Sequence, residues 1–199
     1  MERKPYSAGA VSNSFWFLEF KKAVTLLSEG LTLDDIKQKS NEENLFAAAS
    51  AARAKNILGA TLMRIKALDE SFIPLFMKSD VSGQKLICLV ACMCSDTLFF
   101  DFVYEVIRSK IILGLNSYDD TDIRKFWASK QEQSEKVASF SELSYKRLAS
   151  VYKVYLAESG ITNRTTSARD IYKPVIAPDI EQWLHKNNLQ PIIAALTGE

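Results

Sequence analysis

The sequence predicts a mainly α-helical, compact multi-helix protein with helix-turn-helix-like flanks and one short, wing-like β-hairpin near 161–175. Three observations predict this fold class. Hydrophobic residues recur at helical spacing through most of the chain, most clearly over 84–114. Only 7 Gly and 5 Pro occur in 199 residues, which favours helices over a turn-rich β architecture. The segment 161–175 is instead rich in Thr, Ser and Arg and poor in apolar residues, which fits a hairpin.

The N-terminal region, 1–80, is predicted to be helix-turn-helix-like. After a polar lead-in, apolar residues predict a helix over 15–28. The next helix, over 32–39, has Thr32 as its N-cap, with Asp35 in the capping-box position. A polar turn separates it from a long helix predicted over 45–68, whose alanine-rich first half has high helix propensity. A short helix, a turn and a longer basic helix make the outline of a helix-turn-helix motif.

The central region, 81–118, is predicted to form the packing core, as one helix or as two that meet near 95–96. Asp101, Glu105 and Arg108 share one face of this helix, and Glu105 and Arg108 have the spacing to pair. The three cysteines of the chain are too close together for a disulfide framework and odd in number. We therefore expect buried, reduced thiols and a cytoplasmic protein; the residues are Cys88, Cys92 and Cys94.

No membrane insertion is expected for the central region. Its uninterrupted apolar run, Leu86–Cys94, is far shorter than the roughly 20 residues that cross a bilayer. Acidic residues follow closely and would lie in lipid. The first 14 residues lack the apolar segment of a secretory signal peptide.

The C-terminal region, 119–199, is predicted to be winged-helix-like. Thr121 is expected to cap a helix over 122–133, and the polar stretch 131–138 to be its end or a short helix. Ser141 is expected to cap a helix over 141–158, which Gly160 ends. The hairpin follows, with 163–168 near its tip. Two short helices, each with Pro in its first turn, are predicted to close the chain.

Patterns typical of enzymes, metal sites and cofactor sites are weak in this chain. Lys85 follows Gly83 and Gln84 without the earlier Gly and the later Ser or Thr of a phosphate-binding loop. Ser150 and Lys153 match Ser-x-x-Lys, but packing residues lie between them. Cys88 and Cys92 lack further metal ligands nearby, the single His185 suits a surface position, and the acidic pairs suit helix caps. We expect no catalytic residues, no metal, no cofactor and no small-molecule substrate.

Local charge favours a binding function. The net charge of +1 does not by itself indicate nucleic-acid binding. However, segment 45–70 holds four basic residues against two acidic ones, and 161–175 holds three against one. First-turn residues of a recognition helix reach base edges, and Ser, Tyr, Lys and Arg side chains bind phosphates. The candidate DNA-binding residues are Ser141, Ser144, Tyr145, Lys146, Arg147, Lys153, Arg164, Arg169 and Lys173, with Arg53, Lys55 and Arg64 as a weaker set.

The alternative interpretation of both basic segments is a solvated helix face with ordinary salt pairs. The residues themselves fit both interpretations.

Short motifs in a fixed order run over most of the chain. They are Tyr6-Ser-Ala-Gly9, Glu43-Asn-Leu45, Arg53, Arg64-Ile-x-x-Leu68, Asp101-Phe-Val-Tyr-Glu-Val106, Asp122-Ile-x-x-Phe126, Lys146-Arg-Leu148 and Tyr155-Leu-x-Glu-x-Gly160. None is specific alone, but in order and spacing they resemble the BrxA family of BREX phage-defence loci. The resemblance implies a mainly helical, non-enzymatic protein that binds DNA and works beside the methyltransferase, phosphatase-like and ATPase proteins of the locus.

One departure from the family pattern changes the expected site. The family tends to place Arg, Lys or Gln just after the Asn-Leu pair, where this chain has Ala47–Ala49. The expected DNA contact therefore moves from the 45–68 helix to 141–175.

The leading hypothesis is a DNA-binding accessory protein of a BREX system, which contacts duplex DNA largely through backbone phosphates. An alternative is a protein-interaction adaptor among BREX proteins. The near-neutral charge favours the adaptor, and an exposed patch containing Phe140 or Trp183 would support it. An RNA-binding role, by analogy with the antitermination factor NusB to which the family was once compared, is the third hypothesis.

Overall fold

A computed structural model describes residues 3–165 and 167–199 of the chain. The fold is mainly α-helical, as predicted, with a small antiparallel strand pair. The helices are α1 (Phe17–Ser28), α2 (Leu33–Glu43), α3 (Ala51–Ile65), α4 (Phe72–Lys78), α5 (Val81–Ser95), α6 (Thr97–Phe102), α7 (Arg108–Ile112), α8 (Asp120–Gln133), α9 (Glu135–Ala138), α10 (Glu142–Glu158), α11 (Pro178–Lys186) and α12 (Gln190–Thr197). The strands are β1 (Ser117–Tyr118) and β2 (Arg169–Asp170).

One hydrophobic core, extending along the chain from Ala10 to Leu196, holds these helices together. Helix α5 lies at its centre and is buried on nearly every side from Gln84 onward. All three cysteines are buried, free thiols in this core, as predicted. Aromatic rings of α6, α8 and α10 pack on one another inside this core, so the C-terminal helices share it with the N-terminal ones.

The central region is not one continuous helix: α5 and α6 meet at Asp96, which confirms the prediction of two helices that meet near 95–96. The Asp96 carboxylate caps α6 by accepting hydrogen bonds from the backbone N–H groups of Leu98 and Phe99. In the described ranges, no single helix has the length and apolar character to cross a membrane. Helix α5 passes that test only together with α6–α7, by length and composition, and the pair is bent by 111°.

A π-helical turn, Val103–Ile107, separates α6 from α7 and changes which face the acidic residues occupy. Asp101 is buried, and Glu105 pairs with Lys130 of α8. Arg108 instead stacks on Tyr104 and donates to the backbone carbonyl of Glu199. The predicted Glu105–Arg108 pair is therefore wrong, because the extra residue in the turn shifts the helical register.

Helix α3 begins at Ala51, so the predicted start at residue 45 is wrong. Asn44 takes a left-handed conformation, and its side-chain amide bonds both the N–H and the carbonyl of Ala48. Ser50 then caps α3 by accepting a hydrogen bond from the N–H of Arg53. Residues 44–50 therefore form a loop that is held by side-chain hydrogen bonds, although the alanines in it favour a helix. The chain leaves α3 after Ile65, short of the predicted Leu68.

Local capping in the C-terminal region is partly as predicted. Ser141 caps α10. Helix α8 begins at Asp120 and is capped by Asp119, which forms a reciprocal capping box with Asp122, so Thr121 is not the cap. Within 161–175, Thr162 and Ile171 form one antiparallel bridge, while the regular partner of β2 is β1. Thr166, at the predicted hairpin tip, lies outside the described residues.

Candidate nucleic-acid interface

The first turns of α10 present two basic side chains to solvent. Lys146 and Arg147 are exposed, and neither has a side-chain partner among the residues that the structure describes. The hydroxyl groups of Ser141 and Ser144 lie 3.0 Å apart at the helix start, where Ser141 also accepts the Ser144 N–H. The two serines thus fix the N-terminus of α10, and the two basic residues lie just beyond it.

Tyr145 does not belong to this exposed surface. Its ring is buried against Trp127 and Phe140, and its hydroxyl group donates a hydrogen bond to the backbone carbonyl of Val137. The prediction that Tyr145 contacts DNA is therefore wrong, because its polar atom is used to hold α9 against α10.

The basic residues around the strand pair divide into exposed and buried ones. Arg164 and Lys173 are exposed. Lys153, partly buried, and Arg169, buried, both lie close to Asp120 Oδ1, at 2.9 and 3.0 Å. Arg169 also packs over the ring of Tyr118. Arg169 is thus a packing residue that joins the strand pair to α8, and its prediction as a DNA contact is wrong.

The basic residues of α3 also divide in two. Arg53 and Lys55 are exposed near the helix start. Arg64 is 1% exposed, and its guanidinium donates to the backbone carbonyls of Ser14 and Phe15 and to the hydroxyl group of Tyr155. Arg64 cannot reach DNA from this position, so the prediction of a contact there is wrong.

Lys55 lines a cavity of about 540 Å³ between the N-terminal segment, α3 and the junction of α5 with α6. Arg64 and Asp96 line the same cavity from the core. Burial raises the pKa of the Asp96 carboxyl from 3.8 to about 6, although its hydrogen bonds to Phe99, Leu98 and Tyr152 act in the opposite direction. This cavity therefore contains a titratable group within the range of ordinary buffers.

The structure brings two predicted residues from opposite flanks to one place. Arg53 of α3 and Arg164 of the 161–175 segment line an open cavity of about 550 Å³ at the start of α1. Lys85 of α5 lines it too, and so do Glu19 and Glu158. We refer to this site, defined by Arg53, Lys85 and Arg164, as the α1 cavity.

Sequence reasoning missed Lys85 and a buried ionic cluster. In the sequence, Lys85 is part of an incomplete phosphate-binding pattern, but a lysine one turn into an otherwise apolar helix also indicates an exposed edge. The cluster joins Asp101 to Arg3 and Lys130. The carboxylate of Asp101 within a strongly apolar stretch is the sequence signal that indicates this cluster. Among the described residues, no group of three or more His, Cys, Asp or Glu side chains could hold a metal ion.

The fold and these surfaces define a class: a small, mainly α-helical protein with a buried central helix and exposed basic residues on two flanking helices. Comparison with known proteins gives the family. The sequence model described as BrxA matches residues 4–188, and the chain belongs to the BrxA family.

Two individual proteins extend the comparison. The chain is similar to the BREX protein BrxA of Bacillus cereus (strain H3081.97), with 33% identity over 184 residues, 92% of each chain. It is also similar to the crystal structure of an uncharacterized protein from Magnetospirillum magneticum. That likeness has a TM-score of 0.82 at 18% identity and covers 98% of this chain and 100% of the other, so it concerns the fold.

Proposed function

We propose that the chain is a non-enzymatic, cytoplasmic accessory protein of a BREX phage-defence system that binds duplex DNA, largely through backbone phosphates, and works with other BREX proteins. Membership of the BrxA family supports the BREX assignment. The observation that carries DNA binding is the set of exposed basic side chains on both flanks. They are Arg53, Lys55, Lys146, Arg147, Arg164 and Lys173.

These residues suit backbone contacts more than base reading. Lysine and arginine bind phosphates of any sequence, and such contacts supply most of the affinity in non-specific binding. The helix starts of α3 and α10 have exposed basic residues in or just beyond the first turn, and the apolar side chain of Leu143 is exposed beside those of α10. Affinity is therefore expected to depend on salt more than on sequence.

A gel-shift with a duplex of about 20 base pairs over a salt series tests the proposal. If six of these residues each contact a phosphate, the affinity should fall roughly 10³-fold between 50 and 200 mM salt, because counterions are released on binding. The same duplex made of RNA, used as competitor, separates DNA from RNA binding. The absence of any shift at low salt would contradict DNA binding.

Replacement of Lys146 and Arg147 by Ala tests the α10 surface. The double variant should bind every duplex sequence more weakly and should lower the salt slope by about two, since each phosphate contact contributes about one. The matched control is Lys66→Ala with Lys186→Ala, which removes two exposed charges near the ends of α3 and α11. Equal affinity of the two double variants would exclude α10 from the interface.

A second candidate function, a protein-interaction adaptor, has one observation in its favour. Ile112, Leu113 and Leu115, at the end of α7, are 53%, 70% and 47% exposed. Contiguous exposed apolar side chains are typical of protein-contact surfaces. The patch does not involve Trp183, which is buried and donates its indole N–H to Ser71, and Phe140 is partly buried.

Co-purification with the other proteins of the locus tests the adaptor. Complexes that survive nuclease treatment, and that are lost when Leu113 is replaced by Asp, would favour it. If nuclease releases every partner, DNA bridges the proteins and the adaptor is excluded.

A further inference from the structure

We infer that the α1 cavity is a phosphate-binding site, which takes a phosphate group of the DNA backbone. The inference rests on the proposed function for the source of the phosphate, and on the cavity itself for the chemistry. The two basic segments that the sequence treats as separate DNA-contact regions thereby become one continuous surface.

The cations of the α1 cavity carry the inference. Arg53 reaches it from the first turn of α3, Lys85 from α5 and Arg164 from the 161–175 segment. Within the described ranges, the Arg53 side chain has no hydrogen-bond or ion-pair partner, and the Lys85 ammonium contacts only the ring of Phe17, 5.9 Å from its centre. Three cations from three separate elements converge on one open cavity, and two of them lack a counter-charge.

The first residues of α1, whose N–H groups have no side-chain cap, also line this cavity. Trp16, the N-cap residue, has φ 47° and ψ 48°, and no side chain bonds the first N–H groups of the helix. Free N–H groups at a helix start favour an anion, because the helix dipole is positive there. Trp16 itself is 6% exposed and lines the cavity, and its indole N–H has no hydrogen-bond partner. A buried donor without a partner is costly, and an oxyanion in the cavity would lie beside the ring that carries it.

Two carboxylates also line the α1 cavity and lower its positive charge. Glu158 accepts a hydrogen bond from Arg164 at 2.7 Å and holds that guanidinium at the rim. Glu19 lies in the first turn of α1 and has no ion pair among the described residues. With three cations against two carboxylates, the lining has a charge of +1. Glu19 opposes an anion directly, so its neutralisation should tighten phosphate binding.

NMR of the full chain, labelled with ¹⁵N, provides the test. Inorganic phosphate should shift the indole N–H signal of Trp16, identified by its loss in Trp16→Phe. The Trp183 indole signal should stay in place, because that group already donates to Ser71. Arg53→Ala and Lys85→Ala should each abolish the shift, and Glu19→Gln should lower the phosphate concentration needed for it. Circular dichroism melting confirms that each variant is folded.

The duplex arm of the same experiment distinguishes the source of the phosphate. A 20-base-pair duplex should shift the same Trp16 signal, and each of the two Ala variants should lower the salt slope of DNA binding by about one. Lys66→Ala is the control for a lost surface charge. A shift with phosphate and none with duplex would support the site but assign it to a small phosphate compound.

Two further outcomes separate this inference from the proposed function. If the duplex binds the chain but neither ligand moves the Trp16 signal, the α1 cavity is not a phosphate site and DNA binding stands. If phosphate moves the signal and the chain binds no duplex at any salt, DNA binding is contradicted and the phosphate site stands.

Discussion

Arg64 joins three parts of the molecule through one side chain. Its guanidinium donates to the carbonyls of Ser14 and Phe15 before α1 and to the Tyr155 hydroxyl of α10, while its own backbone belongs to α3. The guanidinium also packs over the Tyr155 ring, 5.1 Å from its centre. Arginine suits this position because its planar fork offers several donors at once and keeps its charge when buried.

Replacement of Arg64 by Met should destabilise the protein strongly. The variant leaves two backbone carbonyls and one hydroxyl without their donor, each at a cost of about 1–3 kcal/mol. We expect the free energy of unfolding, measured by urea titration, to fall by at least about 3 kcal/mol. Arg53→Met, at an exposed site of the same helix, should change it by less than about 0.5 kcal/mol. Similar stability of the two variants would contradict a joining role.

The Asp96 carboxyl contributes a pH-dependent term to stability. Its pKa is about 6 in the folded chain and 3.8 without burial, so the folded state holds the proton more tightly. The stabilising term is complete below pH 3.8 and is lost as the pH rises through 6. Ionised Asp96 is still bonded to the helix start, which limits the loss to on the order of 1–3 kcal/mol.

Asp96→Asn tests this term. Asn can still accept the capping N–H groups of Leu98 and Phe99, but it does not ionise. Relative to the unsubstituted chain, the variant should gain unfolding free energy between pH 4 and pH 7 and then reach a plateau. Urea titrations at several pH values measure the difference in unfolding free energy between the variant and the unsubstituted chain. The contributions of other titrating groups cancel in this difference. A constant difference over this range would show that Asp96 has an ordinary pKa.

At the level of the elements, the loop between α2 and α3 decides where Arg53 and Lys55 lie. Asn44 occupies a left-handed conformation that Asn tolerates better than most residues, and it bonds Ala48 twice. The loop then delivers Ser50 as the cap of α3, one turn before Arg53. The alanine-rich stretch that lacks the family's basic residues is therefore part of a positioning loop.

Asn44→Ala should loosen this loop. The variant loses both side-chain bonds and places Ala in a left-handed conformation, for a combined cost of about 1–3 kcal/mol in unfolding free energy. It should also weaken phosphate-dependent binding, because Arg53 is no longer held at the α1 cavity. Asn41→Ala, exposed on α2, is the matched control and should leave both quantities unchanged. Thermal unfolding and the gel-shift measure the two effects.

The sequence predicts those elements whose signals are local. Thr32 and Ser141 cap their helices as expected, since a cap depends on a few adjacent residues. The loop at Asn44 and the π-helical turn at Val103–Ile107 escape prediction, because apolar spacing continues through both. For the candidate site, Lys146 and Arg147 are exposed as expected, whereas the burial of Arg64 depends on carbonyl groups far away in the chain.

For the whole molecule, a buried ionic cluster ties the N-terminal segment to the core. Asp101 of α6 accepts hydrogen bonds from Arg3, Tyr6 and Lys130, and Lys130 also pairs with Glu105. The Lys130 and Asp101 side chains are only 3% and 4% exposed. The segment that starts at Arg3 continues along the cavity beside α3 and reaches the α1 cavity at Ser14. The cluster thus fixes one end of the N-terminal segment, and the other end of that segment lines the proposed phosphate site.

A double-mutant cycle of Asp101→Asn and Lys130→Met measures this link. Each single variant leaves a buried charge with fewer partners, at a cost of about 3–5 kcal/mol, whereas the double variant removes both charges. We expect the double variant to be less destabilised than the sum of the singles by about 1–3 kcal/mol. Additive losses in urea titrations would show that the two side chains do not interact.

Hydrogen exchange then shows whether the cluster acts over the length of the N-terminal segment. In Asp101→Asn the Arg3 and Tyr6 contacts weaken, so the backbone N–H of Lys4, which donates to Thr97, should exchange faster. If the segment is held as one unit, amides up to Asn13 follow, and the Trp16 indole signal responds less to phosphate. Lys37→Ala, which breaks only an exposed pair with Asp34, is the control. Faster exchange confined to Lys4 would mean that the 3₁₀ turn Gly9–Ser12 and Arg64 hold the far end independently, and that the phosphate site does not depend on the cluster.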